Sequence, residues 1–287
     1  MRILMATGGS DQSELALRFG AEIARRARGS AVPAIVTVIR REAERARAEA
    51  ILARASRLLK TVVPQVDTII RVGHPAEEII REAEEGDYDL VLVGERQRRD
   101  PVTRFLLGST ALRVVEHAPC PVIIAKGKMR AESRGPEGLG DERVRILLCD
   151  SGATTPSLVS RFAAQLADLI QGDEEATILH VMSQISAGPG IRGAQLRADA
   201  EELIQVHAPE GELLQQDVRV LEELDLHPVP KVRHGLVVDE ILAEAQGGDY
   251  DLVVIGAPRG QGWRRILLDD LAHEIITELN RPVLVVR

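Results

Sequence analysis

GDYDLVLVG at 86–94 and GDYDLVVIG at 248–256 place one nine-residue pattern twice in a single chain. Seven of the nine positions are identical, and Leu92/Val254 and Val93/Ile255 exchange one apolar residue for another. A match of this length within 287 residues marks a duplication. It also supplies an internal control, because what one copy keeps and the other loses is read directly.

The register extends outward from this seed. Gly73, Glu78 and Ile79 fall on Gly235, Glu240 and Ile241 at the same offset of 162. Past the closing glycine the offset is 161, so Pro121-Val122 meets Pro282-Val283. Arg2-Ile3-Leu4 meets Arg145-Ile146-Leu147 at an offset of 143, which gives the second copy 19 extra residues in its middle. The domains are therefore expected at 1–126 and 144–287. The stretch 127–143, rich in glycine and charge, reads as an exposed linker.

Within each copy short apolar runs alternate with helical patterns. In the first, strands are expected near 3–6, 34–39, 66–72, 90–93 and 121–125, and helices near 11–28, 40–59, 75–85 and 108–117. Ser10 is placed to cap the first helix, and Pro75 sits where a helix has no N–H bond to lose. The Arg/Glu-rich helix at 40–59 reads as a solvated face. The second copy repeats the pattern, and its longer region between strands two and three holds two helical stretches near 192–207 and 211–224.

Continuously apolar strands alternating with helices belong to a parallel sheet covered on both faces. The fold class is thus α/β: two doubly wound five-stranded parallel-sheet domains, strand order 3-2-1-4-5, arranged as a pseudo-dimer. Both copies end in a bare apolar strand, PVIIA and PVLVV. Such edges are a liability, and the two last strands are expected to cover each other.

Composition bounds the function. A net charge of −8 argues against direct nucleic-acid binding. No apolar run approaches the ~20 residues of a membrane span, so the chain is not expected to be membrane-embedded. It enters a strand-like run at Arg2 without a signal peptide, and Cys120 and Cys149 show no metal or redox spacing. A cytoplasmic location with reduced thiols is the expectation.

Ligands of an open parallel sheet bind beyond the carboxyl ends of its strands. Gly8-Gly9-Ser10 follows the first strand, and Gly94 follows the fourth, with Gly108-Ser109-Thr110 opening the next helix. Glycine admits close backbone approach, and the free N–H groups of a helix start favour an anion. Arg96, Arg98, Arg99 and Arg104 fall between Gly94 and Gly108. They read equally as phosphate clamps or as an exposed loop. The seven histidines show no ligand spacing, and His117 is expected at a helix end.

The segments RILMATGGSDQSELAL, VGHPAEEIIREAEEGDYDLVLVG and RFLLGSTALRVVEHAPCPVIIA resemble the universal stress protein family, in a tandem form covering both copies. ATP-binding members of that family carry G-x2-G-x9-G-[ST] after strand four and an Asp-Gly-Ser turn after strand one. The resemblance implies that Ala6, Thr7, Gly8 and Val38 face the base and ribose of ATP. Gly94, Gly108, Ser109 and Thr110 would face its phosphates, with Mg²⁺.

The match is partial. Gln97 stands at the middle glycine, ten residues rather than nine separate it from Gly108, and Gly8 replaces the acidic residue. Losing that ribose acceptor costs roughly 0.5–1.5 kcal/mol. In the second copy Gly256 remains, but Arg259, Asp269-Asp270 and Ser151 replace the rest. Two carboxylates suit a helix start and repel a triphosphate, so this copy reads as closed to ATP.

By resemblance the protein is a non-enzymatic, self-associating regulatory protein of stress adaptation. One alternative is a regulatory or scaffold module without nucleotide, with a membrane transporter as partner. A slow ATP hydrolase is a further alternative, for which no general base or Ser-His-Asp order is visible.

Overall fold

The computed structural model describes residues 1–27, 31–60, 62–95, 108–127, 144–150, 157–166, 175–182, 198–256 and 270–286. The first copy runs β1 (Arg2–Ala6), α1 (Asp11–Arg26), β2 (Val32–Ile39), a 3-10 turn (Glu42–Glu44), α2 (Arg45–Leu59), β3 (Asp67–Val72), α3 (Pro75–Glu85), β4 (Leu90–Gly94), α4 (Ser109–His117) and β5 (Val122–Ala125). The second runs β6 (Arg145–Asp150), α5 (Leu158–Leu166), β7 (Glu175–Met182), α6 (Ala200–Gln205), α7 (Pro209–Glu222), β8 (His227–His234), α8 (Val237–Gly247), β9 (Leu252–Gly256), α9 (Asp270–Glu278) and β10 (Val283–Val286).

The chain divides into two compact units, and Asn280–Val285 belongs to the first. In that unit the strands lie in the order β3-β2-β1-β4-β5, all parallel. β10 then adds to β5 antiparallel, with Val283 opposite Ile124 and Val285 opposite Val122. The expected mutual cover of the two terminal strands is met, and both are buried along their length. The second unit repeats the winding through β8-β7-β6-β9, again parallel.

The helices bury the faces their patterns dictate. α1 buries Leu15, Ala16, Leu17, Phe19 and Ala21, and Ser10 caps it as expected, its hydroxyl accepting from the Ser13 N–H at 3.3 Å. α2 differs from its expectation. It starts at Arg45, after the 3-10 turn, and buries Ala48, Leu52, Ala55 and Leu59. That spacing is a narrow apolar stripe among charges, so the helix is not simply a solvated face.

The outer strands also differ from continuous burial. β3 and β8 are half-exposed, because each has a neighbour on one side only. β8 holds Pro228 and Pro230. The Gly235 N–H bonds the Met182 carbonyl of β7 at 3.2 Å. By the alternation of a strand, residues 228 and 230 then turn their nitrogens outward. Proline there removes donors from the free edge without breaking the ladder.

The duplicated seed is explained by packing at the amino-terminal ends of the strands. A Cβ on Gly86 would lie 2.2 Å from the Tyr88 ring, and one on Gly248 2.1 Å from the Tyr250 ring. The second aspartate of each seed accepts from the backbone N–H that opens the neighbouring strand: Asp89 from Arg2 at 2.7 Å, Asp251 from Arg145 at 2.9 Å. Those arginines lie over the two tyrosine rings at 4.9 and 5.5 Å. Arg71 pairs with Glu82 as Arg233 pairs with Glu240 and Glu244. What both copies share is therefore scaffold.

Candidate functional site

The winding reverses between β1 and β4, and the open crevice lies beyond their carboxyl ends. Met5 stands opposite Leu92 and Ala6 opposite Val36. In this register Thr7 comes level with Gly94, and Gly8 with Val38. Ala6, Thr7, Gly8, Val38 and Gly94 are thus brought to one edge of the sheet.

Thr7 is buried and fully engaged. Its N–H bonds Val36 at 2.9 Å, its carbonyl accepts from Thr37 at 3.0 Å, and its hydroxyl donates to Ser13 at 3.0 Å and accepts from the Gly9 N–H at 3.2 Å. These bonds fix the turn that leads into α1. Gly8 is exposed, and a Cβ placed there meets nothing within 4 Å. The position expected to carry an acidic side chain is open to one.

Gly94 has a packing role of its own. A Cβ there would fall 2.5 Å from the Gln12 carbonyl oxygen and 2.9 Å from the Ser13 nitrogen. The strand end and the first turn of α1 touch backbone to backbone.

Gly108 is the N-cap of α4, without a side-chain cap hydrogen bond, and Ser109 and Thr110 form the first turn. The helix leads into β5, so its start lies at the carboxyl edge of the sheet. Ser109 is exposed and Thr110 half-buried. His117 closes the helix, its Nδ1 3.0 Å from the Arg113 carbonyl. Gln97 and the arginines at 96, 98, 99 and 104 lie outside the described residues.

Sequence reasoning passed over Lys126. Its side chain is only 1% exposed, and its ammonium lies 3.9 Å from the Glu95 carboxylate. The Glu95 N–H bonds the Ala125 carbonyl at 3.1 Å, which sets the two residues side by side past the ends of β4 and β5. Burial pushes the Glu95 carboxyl above the ordinary 4.5, and the Lys126 charge offsets only part of this. The available signal was a basic residue after the last strand of each copy, Lys126 and Arg287.

The second copy builds a different edge. Ser157 precedes α5, and its hydroxyl accepts from the Ser160 N–H at 3.1 Å, as Ser10 does from Ser13. Ser157 also donates to Asp217 at 2.6 Å. Asp217 comes from α7, the crossover helix between β7 and β8, and is 2% exposed. α7 packs on α5, β7 and β8 as α2 packs on α1, β2 and β3, so it covers its own domain's sheet. Met182, Ala198, Leu203 and Ala208 form a small core beneath it, with Val232 against them. A Cβ on Gly256 would meet the Arg161 guanidinium at 2.7 Å, a side chain rather than backbone. Ser151, Arg259 and Asp269 lie outside the described residues, and Asp270 opens α9.

Among the described residues no helix is long and apolar enough to cross a membrane, and no group of three or more His, Cys, Asp or Glu could hold a metal ion. Cys120 and Cys149 are buried and form no disulfide.

The family model for universal stress proteins matches this chain twice, over residues 1–126 and 143–287. The chain belongs to the universal stress protein family. This universal stress protein is 37% identical over 73 residues to one from Thermus aquaticus, described as lying in the QAH/OAS sulfhydrylase 3' region. That match spans 25% of the chain and 53% of the relative. It is 38% identical over 58 residues to one from Methanothermobacter thermautotrophicus, spanning 20% of the chain and 38% of the relative. The matches thus cover about half or less of these curated relatives' length. A universal stress protein from Archaeoglobus fulgidus shares the fold over 100% of this chain and 96% of its own, with a TM-score of 0.66 at 19% identity. A functionally unknown protein of Pseudomonas aeruginosa PAO1, PA1789, does so over 99% and 92%, with a TM-score of 0.64 at 16% identity.

Proposed function

We propose that this universal stress protein is a cytoplasmic, self-associating regulatory protein whose first domain binds ATP with Mg²⁺ and whose second domain does not. One asymmetry carries the reading. At the first-domain edge a Cβ on Gly8 meets nothing within 4 Å, whereas at the second the start of α5 holds the Asp217 carboxylate against Ser157. A carboxylate built into that edge disfavours a second anion there. Ala6, Thr7, Gly8 and Val38 would receive the base and ribose. Gly94, Gly108, Ser109 and Thr110 would receive the phosphates, the start of α4, whose N-cap is a glycine, offering its N–H groups.

Calorimetric titration with ATP and Mg²⁺ tests this. One ATP per chain is expected in the unaltered protein, and none in a Gly108→Asp variant, which places a carboxylate at the α4 cap. Absence of binding in both sinks the reading.

A second reading, a regulatory module without nucleotide attached to a membrane transporter, has one observation in its favour. The contact of Gly94 with Gln12 accounts for that glycine without any phosphate. Co-purification with a transporter, together with no ATP binding, is its signature.

A further inference from the structure

We propose that the free edge of β3 is a pairing surface for β3 of a second molecule of this protein, the two strands running antiparallel about a two-fold axis at Ile69. The inference rests on the self-association in the reading above and gives it a surface.

β3 ends the sheet, with β2 as its neighbour on one side. The Gly73 N–H bonds the Ile39 carbonyl of β2 at 2.9 Å. By the alternation of a strand, Asp67, Ile69 and Arg71 then turn their backbone groups to β2, and Val66, Thr68, Ile70 and Val72 turn theirs outward. Thr68 and Val72 are exposed. An outward row of backbone donors and acceptors is a template for another strand.

The second domain supplies the control. At the offset of 162, Val66 and Thr68 fall on Pro228 and Pro230, and Ile69 falls on Lys231. The prolines delete two outward donors, and a lysine in mid-strand sets like charges against each other in a self-pairing. β8 is thus blocked at the positions where β3 is open.

Self-complementarity selects the occupant and the register. With the axis at Ile69, Thr68 meets Ile70 of the partner subunit and Val66 meets Val72 of the partner subunit, all in outward-facing, hydrogen-bonding positions. Asp67 then stands opposite Arg71 of the partner subunit, once on each side of the axis, a favourable cross-strand pair. An axis at 67 sets aspartate against aspartate, and one at 71 sets arginine against arginine. Axes at 68 or 70 leave neither charge opposite the other. Glu82 and Glu85 hold Arg71 in place on the α3 face.

Sedimentation equilibrium on the full chain tests this, with a dimer expected for the unaltered protein. Thr68→Pro and Ile69→Lys each borrow a residue that β8 already carries. Each is expected to raise the dimer dissociation constant about tenfold or more, with unchanged circular dichroism. Cross-linking reads the register independently. Ile69→Cys is expected to give a disulfide-linked dimer under oxidised glutathione, because directly opposed residues of this kind stand about 4.5 Å apart between Cα atoms. Ile70→Cys, whose counterpart lies diagonally at roughly 7–8 Å, is expected to cross-link far less.

A Thr68→Pro variant that remains as dimeric as the unaltered chain, or cross-linking at 70 equal to that at 69, overturns the proposal and leaves self-association through another surface. An unaltered chain that stays monomeric ends both.

Discussion

Gly94 and Gln12 meet backbone to backbone: a Cβ on the glycine would fall 2.5 Å from the Gln12 carbonyl oxygen. Neither the strand end nor the first turn of α1 can move aside cheaply. Gly94→Ala is therefore expected to cost about 1–3 kcal/mol, read as a lower urea midpoint. Gly256→Ala meets the end of the Arg161 side chain at 2.7 Å rather than backbone and should cost less. Equal losses would contradict this account.

Gly8 is the converse case, a glycine with nothing around the missing side chain. Gly8→Asp is expected to leave stability almost unchanged and to tighten ATP roughly two- to tenfold, the worth of one recovered hydrogen bond. Titration of the variant against the unaltered chain checks it. A weaker complex would show that the ribose does not lie there.

Burial, and then the hydrogen bond to Glu244, push the Tyr250 phenol up to about 12. Its hydroxyl donates to that carboxylate at 2.7 Å. The folded value lies above the ordinary 10.0, so the stability it contributes is complete below pH 10 and is lost as pH rises towards 12. Burial also raises Tyr88, whose bond to Glu82 is longer at 3.4 Å. The chain has 2 tyrosines, so Tyr250→Phe leaves the absorbance titration of Tyr88 alone. A tyrosinate appearing near pH 10 in the folded protein would refute the burial argument for Tyr250.

Glu244 behaves oppositely at acid pH. Burial alone would raise its carboxyl, but hydrogen bonds from Lys231, Tyr250 and Arg233 outweigh this and hold it below 4.5. Its contribution is then present above pH 4.5 and lost as pH falls through the lower folded value. Glu244→Gln should cost about 2 kcal/mol at neutral pH and flatten the acid limb of the stability curve. An unchanged acid limb would count against it.

Asp217 ties α7 to the start of α5 through Ser157. Asp217→Ala removes this hydrogen bond, leaving Ser157 its bonds with Ser160, and should cost about 1–3 kcal/mol, with faster amide exchange in α5 and α7. Asp217→Asn keeps an acceptor and should lose less. Identical exchange in all three proteins would show that this contact does not hold α7 in place.

The fold was legible because its determinants are local. Apolar runs at 3–6 and 90–93 and the Ser10 cap each depend on residues close in sequence, and the repeat doubled every signal. The α2 stripe was missed because Ala48, Leu52, Ala55 and Leu59 are outnumbered by arginine and glutamate around them. The site was legible only in part. Thr7, Gly8 and Gly94 stand at strand ends where the topology places ligands. Lys126 was hidden because nothing beside it in sequence announces that its charge is buried.

By itself the sequence determined a duplicated α/β chain and the asymmetry between its copies, since residue type and period report burial one element at a time. Tertiary structure alone decided the antiparallel register in which β10 meets β5, that Gly94 serves α1, and that Glu95 faces Lys126. It likewise decided that Asp217 reaches Ser157 across 60 residues of chain. These are contacts between distant segments, and their energies depend on distance and desolvation, which no local pattern encodes.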